Sequence, residues 1–198
     1  MKVLITGSSG IIGTALSKSL TAEGHSAIRL QRQNNDPDSP IWDPDNCLKD
    51  LASVGEIYAV VHLAGENIAD GRWSKTKKNR ILNSRVKGTK LLAEYFANSN
   101  QKPRVIISAS AVGFYGDRGA EIVDEESKAG NGFLANVCVQ WEDALKVAFE
   151  AGISVIKVRF GTVLSKKRGS PEKDAAAVQI GAQRSFRQRG AIYELGQY

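Results

Sequence analysis

Glycines at positions 7, 10 and 13 punctuate the segment Thr6-Gly7-Ser8-Ser9-Gly10-Ile11-Ile12-Gly13, directly behind the apolar run Val3-Leu4-Ile5. Few local structures want that spacing. A strand turning tightly into a helix does: Gly7 permits the turn, Gly10 removes a side chain where backbone must approach a ligand, and Gly13 lets the helix pack closely on the strand. The helix start then offers N–H groups and the positive end of its dipole, which suits a pyrophosphate. Because the glycines come after a strand and open a helix, the segment reads as a dinucleotide-binding turn. Gly7, Ser9, Gly10, Ile11, Ile12 and Gly13 are its candidate contacts.

Hydrophobic periodicity extends the alternation along the chain. Residues 2–6 predict a buried strand, 11–23 a helix with Ile12, Leu16 and Leu20 inward, and 26–31 a second strand. The stretch 33–44 is polar and contains proline, which predicts a surface loop. A third strand is expected over 58–63, continuous in apolar residues as a parallel strand covered on both faces should be. A long helix over 73–98 comes next, burying Ile81, Leu82, Val86, Leu91 and Leu92, then a strand over 104–108, a helix over 133–151 and a strand over 154–159. Strands alternating with helices specify the α/β class, a doubly wound parallel sheet of the Rossmann type.

Composition fits one well-cored domain: 198 residues, 42% hydrophobic and 24% charged. No apolar run approaches the roughly 18 residues of a membrane helix. The apolar stretch before Thr6 is too short for a secretory signal, so a cytoplasmic location is expected. Cys47 and Cys138 form neither a disulfide framework nor a metal-ligand pattern, and no metal is expected. The net charge of +6 gathers in the segment 72–90, at Arg72, Lys75, Lys77, Lys78, Arg80, Arg85, Lys87 and Lys90. A solvated helix face is the default reading of such a run, and nucleic acid is not an expected partner.

The second strand bears on which dinucleotide is bound. An acid at its end would accept a hydrogen bond from the ribose of NAD, whereas an arginine there suits the 2′-phosphate of NADP. This strand reads Ile28-Arg29-Leu30-Gln31-Arg32, with Asp36 and Asp38 only further on. NADP is therefore favoured over NAD, with Gln31 and Arg32 as the discriminating pair, the plain alternative for Arg32 being a solvated charge. His62-Leu63-Ala64-Gly65-Glu66-Asn67 ends the third strand, where small residues let a nucleotide cross the backbone. Leu63 and Ala64 are candidate contacts, His62 reads as a packed core histidine, and Glu66 or Asn67 could touch ribose or substrate.

These segments, together with Ser108-Ala109-Ser110-Ala111-Val112-Gly113-Phe114-Tyr115-Gly116, Arg72-Trp73-Ser74 and Ser84-Arg85-Val86-Lys87-Gly88-Thr89, carry a resemblance over about residues 1 to 168. They resemble the atypical short-chain dehydrogenase/reductases, and within them the family of NAD(P)-dependent nucleoside-diphosphate-sugar epimerases. The resemblance implies a cofactor domain followed by a smaller substrate domain, NADP-linked oxidoreduction or epimerisation of a small, nucleotide-linked substrate, and a cofactor-facing position for Arg80 and Arg85. It further implies a serine at a strand end, here Ser108 with Ser110 as the alternative, and a Tyr-x-x-x-Lys pair on the next helix. That pair is missing. Leu134 and Cys138 stand where it should be, which leaves Tyr115 as the nearest phenol and makes a non-catalytic NADP(H)-binding or sensing protein the alternative reading.

After Gly161-Thr162-Val163-Leu164 the family pattern stops. For suitable codons, a one-base shift near Lys166-Lys167-Arg168 would restore family-like segments, among them a Gln-Tyr-Met-Ser-Trp motif at the end of the chain. The expectation is a Rossmann domain over 1–168 and an atypical, poorly ordered, out-of-frame tail over 169–198, with the substrate domain missing.

Overall fold

The apolar runs of this chain assemble into one sheet whose strands all point the same way. The computed structural model describes residues 1–32, 40–44, 47–49 and 51–163 of the 198. The division expected at residue 168 and the tail beyond it lie outside the described residues.

Strands β1 (Lys2–Thr6), β2 (Ser26–Leu30), β5 (Ala59–His62), β6 (Val105–Ala111) and β7 (Ser154–Phe160) form a five-stranded parallel sheet in the order β2-β1-β5-β6-β7. The chain leaves β1 toward β2 and returns on the other side of β1 at β5. That reversal creates a crevice beyond the carboxyl ends of β1 and β5, the place where open α/β sheets bind ligands.

Successive strand residues face opposite sides, and the core divides accordingly. Leu4, Leu30, Val60 and Ile106 meet Leu92, Ala93 and Phe96 of helix α3 (Lys75–Asn98) on one face, joined by Leu145, Ala148 and Ile153. Val3, Ile5, Ala59 and Val61 face the other way, against Leu16 and Leu20 of helix α1 (Ile11–Ala22). All four residues of β5 are buried, which is why its sequence is a continuous apolar run rather than an alternating one.

Three local features differ from the expectations. Within 33–44, strand β3 (Ile41–Asp43) pairs antiparallel with β4 (Cys47–Lys49), Trp42 opposite Leu48. The cause is Trp42, 2% exposed, whose ring packs edge-on to His62 at 5.4 Å and fills the space left by Gly88 of α3. The short helix α2 (Leu51–Val54) comes after this hairpin. The helix expected over 133–151 is two, α4 (Phe133–Asp143) and α5 (Lys146–Glu150), joined by tight i→i+3 bonds from Leu145 N–H to the Glu142 carbonyl and from Ala148 N–H to the Leu145 carbonyl. Strand β6 runs on past Ser108 to Ala111, because β7 keeps pairing with it through Ala111 and Phe160. No helix among the described residues is long and apolar enough to cross a membrane.

Candidate functional site

The two lips of the crevice touch at the glycine turn. Gly7 has φ +66°, and a Cβ there would stand 2.7 Å from the Leu63 carbonyl carbon and 2.8 Å from the Ala64 nitrogen. Only glycine satisfies both the conformation and the contact. Thr6 ties the same lips together by accepting from Leu63 N–H at 3.2 Å and Ala64 N–H at 3.3 Å. With its oxygen so occupied, the Thr6 hydroxyl donates to Nδ1 of its register partner His62 at 2.7 Å. Nε2 of His62 therefore carries the proton and donates to Thr89 of α3 at 2.9 Å. His62 is completely buried, and burial pushes its pKa down to about 4. The ring is neutral and structural, as its apolar strand suggested.

Helix α1 begins in a form suited to an anion. Gly10 is its N-cap with no side-chain cap, and the first turn holds no acid. A Cβ on Gly13 would stand 2.7 Å from the Ser8 Cα, so this glycine sets how closely the helix packs on the turn. Gly10 differs: a Cβ there would meet only the Gly7 carbonyl oxygen, at 3.1 Å, and would otherwise project into the space where a ligand approaches. Ser9 and Ile11 are exposed at this turn, and Ile12 is half-buried beside them. Arg29 of β2 braces the turn from behind, donating to the Ser8 carbonyl at 3.2 Å. The composition of the strand does not reveal this brace.

Basic groups line the rim. Arg32 is exposed two residues past β2, beside Gln31, whose carbonyl accepts from Trp42 N–H at 3.0 Å. Across from it, Glu66 is held by Lys77 at 2.8 Å and Arg80 at 3.5 Å. The Lys77 hydrogen bond holds the Glu66 carboxyl below its usual range, with Arg80 and Arg32 adding to the effect. Arg80 is 62% exposed at this rim. Arg85 lies deeper, donating from Nη1 to the Glu66 and Ile81 carbonyls, both at 3.1 Å, with its guanidinium over Trp141 and against Gly65. The basic run is thus not one solvated face. Lys77 is 4% exposed, and sequence reasoning missed it. The available signal was its place one turn before Ile81 and on the stripe that continues to Gly88 and Leu92.

In the carboxyl-terminal halves of β6 and β7 sits a second polar cluster. Ser108 is 1% exposed, and its hydroxyl donates to the Ala109 carbonyl at 3.2 Å. Ser110 donates to Glu142 of α4 at 2.7 Å, and Arg159 of β7 grips the same carboxylate with Nε and Nη2 at 2.9 and 3.0 Å. Burial pushes the Glu142 carboxyl up, but the Arg159 and Ser110 hydrogen bonds outweigh it and hold the group below its usual range. Arg159 also donates from Nη1 to the Tyr115 hydroxyl at 2.9 Å and stacks on Phe114 at 3.5 Å. Facing this loop, α4 presents Leu134 and Cys138 to Gly113. Burial raises the Cys138 thiol. The face that α4 turns to this loop, where the resemblance implies an acid/base pair, carries Leu134 and Cys138. Among the described residues, no group of three or more His, Cys, Asp or Glu could hold a metal ion.

Comparison with known proteins agrees with this geometry. Residues 3–196 match the model of the NAD-dependent epimerase/dehydratase family. An epimerase family protein of Mycobacterium bovis is 39% identical over 168 residues, covering 84% of this chain and 55% of the relative. The crystal structure of a nucleoside-diphosphate sugar epimerase from Corynebacterium glutamicum superimposes with a TM-score of 0.74 at 39% identity, covering 98% of this chain and 39% of that one. That of the human epimerase family protein SDR39U1 (isoform 2) with NADPH gives 0.76 at 31% identity, covering 91% and 60%. The chain spans about half the length of the curated relatives it matches. With its parallel sheet superimposing on those of these relatives, the chain belongs to the NAD-dependent epimerase/dehydratase family.

Proposed function

We propose that this chain binds NADP(H) in the crevice beyond β1 and β5, as the cofactor part of an epimerase or oxidoreductase acting on a small, nucleotide-linked substrate. The observation that carries the reading is the uncapped, acid-free start of α1 beneath Gly10, the one glycine of the turn whose missing side chain leaves room for a ligand rather than for the protein itself. Gly7, Ser9, Gly10, Ile11, Ile12 and Gly13 receive the pyrophosphate. Leu63 and Ala64, fixed by Thr6, bear the adenosine side. Gln31 and Arg32 receive the 2′-phosphate, with Arg80 across the rim, while Arg85 shapes the floor through Gly65 and the Glu66 carbonyl. The NADPH in the human relative supports this choice of nucleotide.

When bound, the nicotinamide supplies or accepts a hydride. On this chain, Ser108 is the candidate to orient a reacting carbonyl or hydroxyl. Tyr115 is the candidate proton donor: its oxygen accepts from Arg159, which leaves the phenol's own proton to give. The second reading, an NADP(H)-binding protein without catalysis, is favoured by Leu134 and Cys138 in the place of the acid/base pair.

Fluorescence or calorimetric titration of the 198-residue chain and of Arg32→Ala tests the binding. The expected result is tighter binding of NADPH than NADH by the wild type, with the preference lost in the variant. Equal affinities in the wild type contradict the Arg32 assignment. Turnover against a panel of carbonyl substrates, lost in Tyr115→Phe, separates the enzyme from the sensor.

A further inference from the structure

Lys77 is a buried charge at the crevice rim that the cofactor reading leaves unused. It stands on the inward stripe of α3, 4% exposed, and its Nζ lies 2.8 Å from Oε1 of Glu66. Glu66 sets a partly exposed carboxylate 3.5 Å from Arg80 and within reach of the Arg32 charge. An acid at this place is a liability for a phosphate. A ribose 2′-phosphate carries close to two negative charges at neutral pH, and an uncompensated carboxylate repels it while offering an acceptor to a free ribose hydroxyl.

We propose that Lys77 is a positioning residue that determines specificity for NADP(H) over NAD(H), by neutralising Glu66 and fixing its carboxylate against α3 without itself touching the nucleotide. Lys77 removes the charge of Glu66 from the rim, and Arg32 and Arg80 remain with two positive charges for the 2′-phosphate. The burial of Lys77 fixes the arrangement. Its ammonium is taken out of water and held against one acceptor, so the charge is committed to Glu66 rather than shared with solvent. The serine at the head of α3 and the hydroxyl of Ser84 complete the frame: Ser74 accepts from Lys77 N–H at 3.2 Å, and Ser84 accepts from Glu66 N–H at 3.0 Å, so both partners are held by their backbones as well as by their charges.

The inference rests on the NADP(H) reading above, and its test separates the two. NADPH and NADH are titrated into the wild type, Lys77→Met, Glu66→Gln and the double variant, with the fold of each checked by circular dichroism. In Lys77→Met the exposed carboxylate weakens NADPH binding about tenfold and leaves NADH within about twofold, or tightens it. Glu66→Gln keeps or strengthens the NADPH preference, and the double variant regains the preference lost in Lys77→Met. That rescue is what a purely structural role for Lys77 would not produce. Equal weakening of both nucleotides in Lys77→Met, an unchanged preference, or no rescue in the double variant overturns the role of Lys77 while leaving the cofactor reading standing. A wild type that binds neither nucleotide overturns the cofactor reading and the inference with it. If Lys77→Met does not fold, the double variant and Glu66→Gln still decide: both must prefer NADPH at least as strongly as the wild type does.

Discussion

Arg159 and Glu142 meet through two parallel hydrogen bonds of 2.9 and 3.0 Å, fork to fork, across the gap between β7 and α4. The carboxylate is 6% exposed and the guanidinium 17%. Such a pair costs desolvation to form, but removing one partner strands the other. Glu142→Leu is expected to destabilise the domain by about 3 kcal/mol, and adding Arg159→Leu to recover part of that loss. Urea unfolding of the two single variants and the double variant measures the coupling; strictly additive losses would show that the pair acts as two unrelated side chains.

His62 makes stability depend on pH. Its folded-state pKa of about 4 lies below the ordinary 6.5, so between these values the unfolded chain binds the proton more readily. The contribution of the neutral ring is fully present above pH 6.5 and declines as pH falls toward 4, by about 3 kcal/mol in all. Unfolding free energies measured from about pH 7 to 4.5 should fall in the wild type and stay nearly flat over about 6.5 to 5 in His62→Gln. The carboxylates of Glu66 and Glu142, held low in the folded state, add their loss only below about pH 4.5.

The glycine turn separates folding from binding. Gly10→Ala meets little of the protein, so its stability should change by no more than about 1 kcal/mol while NADPH affinity falls at least about tenfold. Gly13→Ala drives a methyl into the Ser8 backbone and should lose both. Parallel thermal melts and titrations check the contrast, and a Gly10→Ala variant that binds normally would remove the pyrophosphate from this turn.

Deeper in the same lip, Gly65→Ala places a methyl 3.2 Å from the Arg85 guanidinium carbon. Arg85 must then tilt away from the Glu66 carbonyl and from Trp141. A moderate loss of stability, about 1 kcal/mol, is expected together with weaker binding of NADPH and NADH alike. Selective loss of NADPH would instead place Arg85 on the 2′-phosphate.

Much of this architecture was legible because its central strands β1 and β5 are buried on both faces. Val3-Leu4-Ile5 and Ala59-Val60-Val61 leave no alternative to interior strands, and the spacing of Gly7, Gly10 and Gly13 dictates a tight turn and a closely packed helix behind the first of them. The β3–β4 hairpin was hidden because one residue, Trp42, anchors it in an otherwise polar segment. The step between α4 and α5 left no trace, since Ala144 and Leu145 suit a helix and a tighter turn equally. At the site, backbone-forming residues could be read from the chain, whereas the partnerships of Lys77 with Glu66 and of Arg159 with Glu142 join distant segments. A charge on an apolar stripe was their only mark.

The chain of hydroxyl, imidazole and hydroxyl through Thr6, His62 and Thr89 spans contacts 56 and 27 residues apart. The glycine turn is local, but the surface opposite it is not. Its opposing wall, Leu63 and Ala64, comes to rest only when β5 has docked and α3 has closed over it, after the entropy of those long loops has been spent. Competence to hold a nucleotide is therefore acquired late in folding. A ligand of this crevice will guard the native molecule against unfolding without hastening its birth.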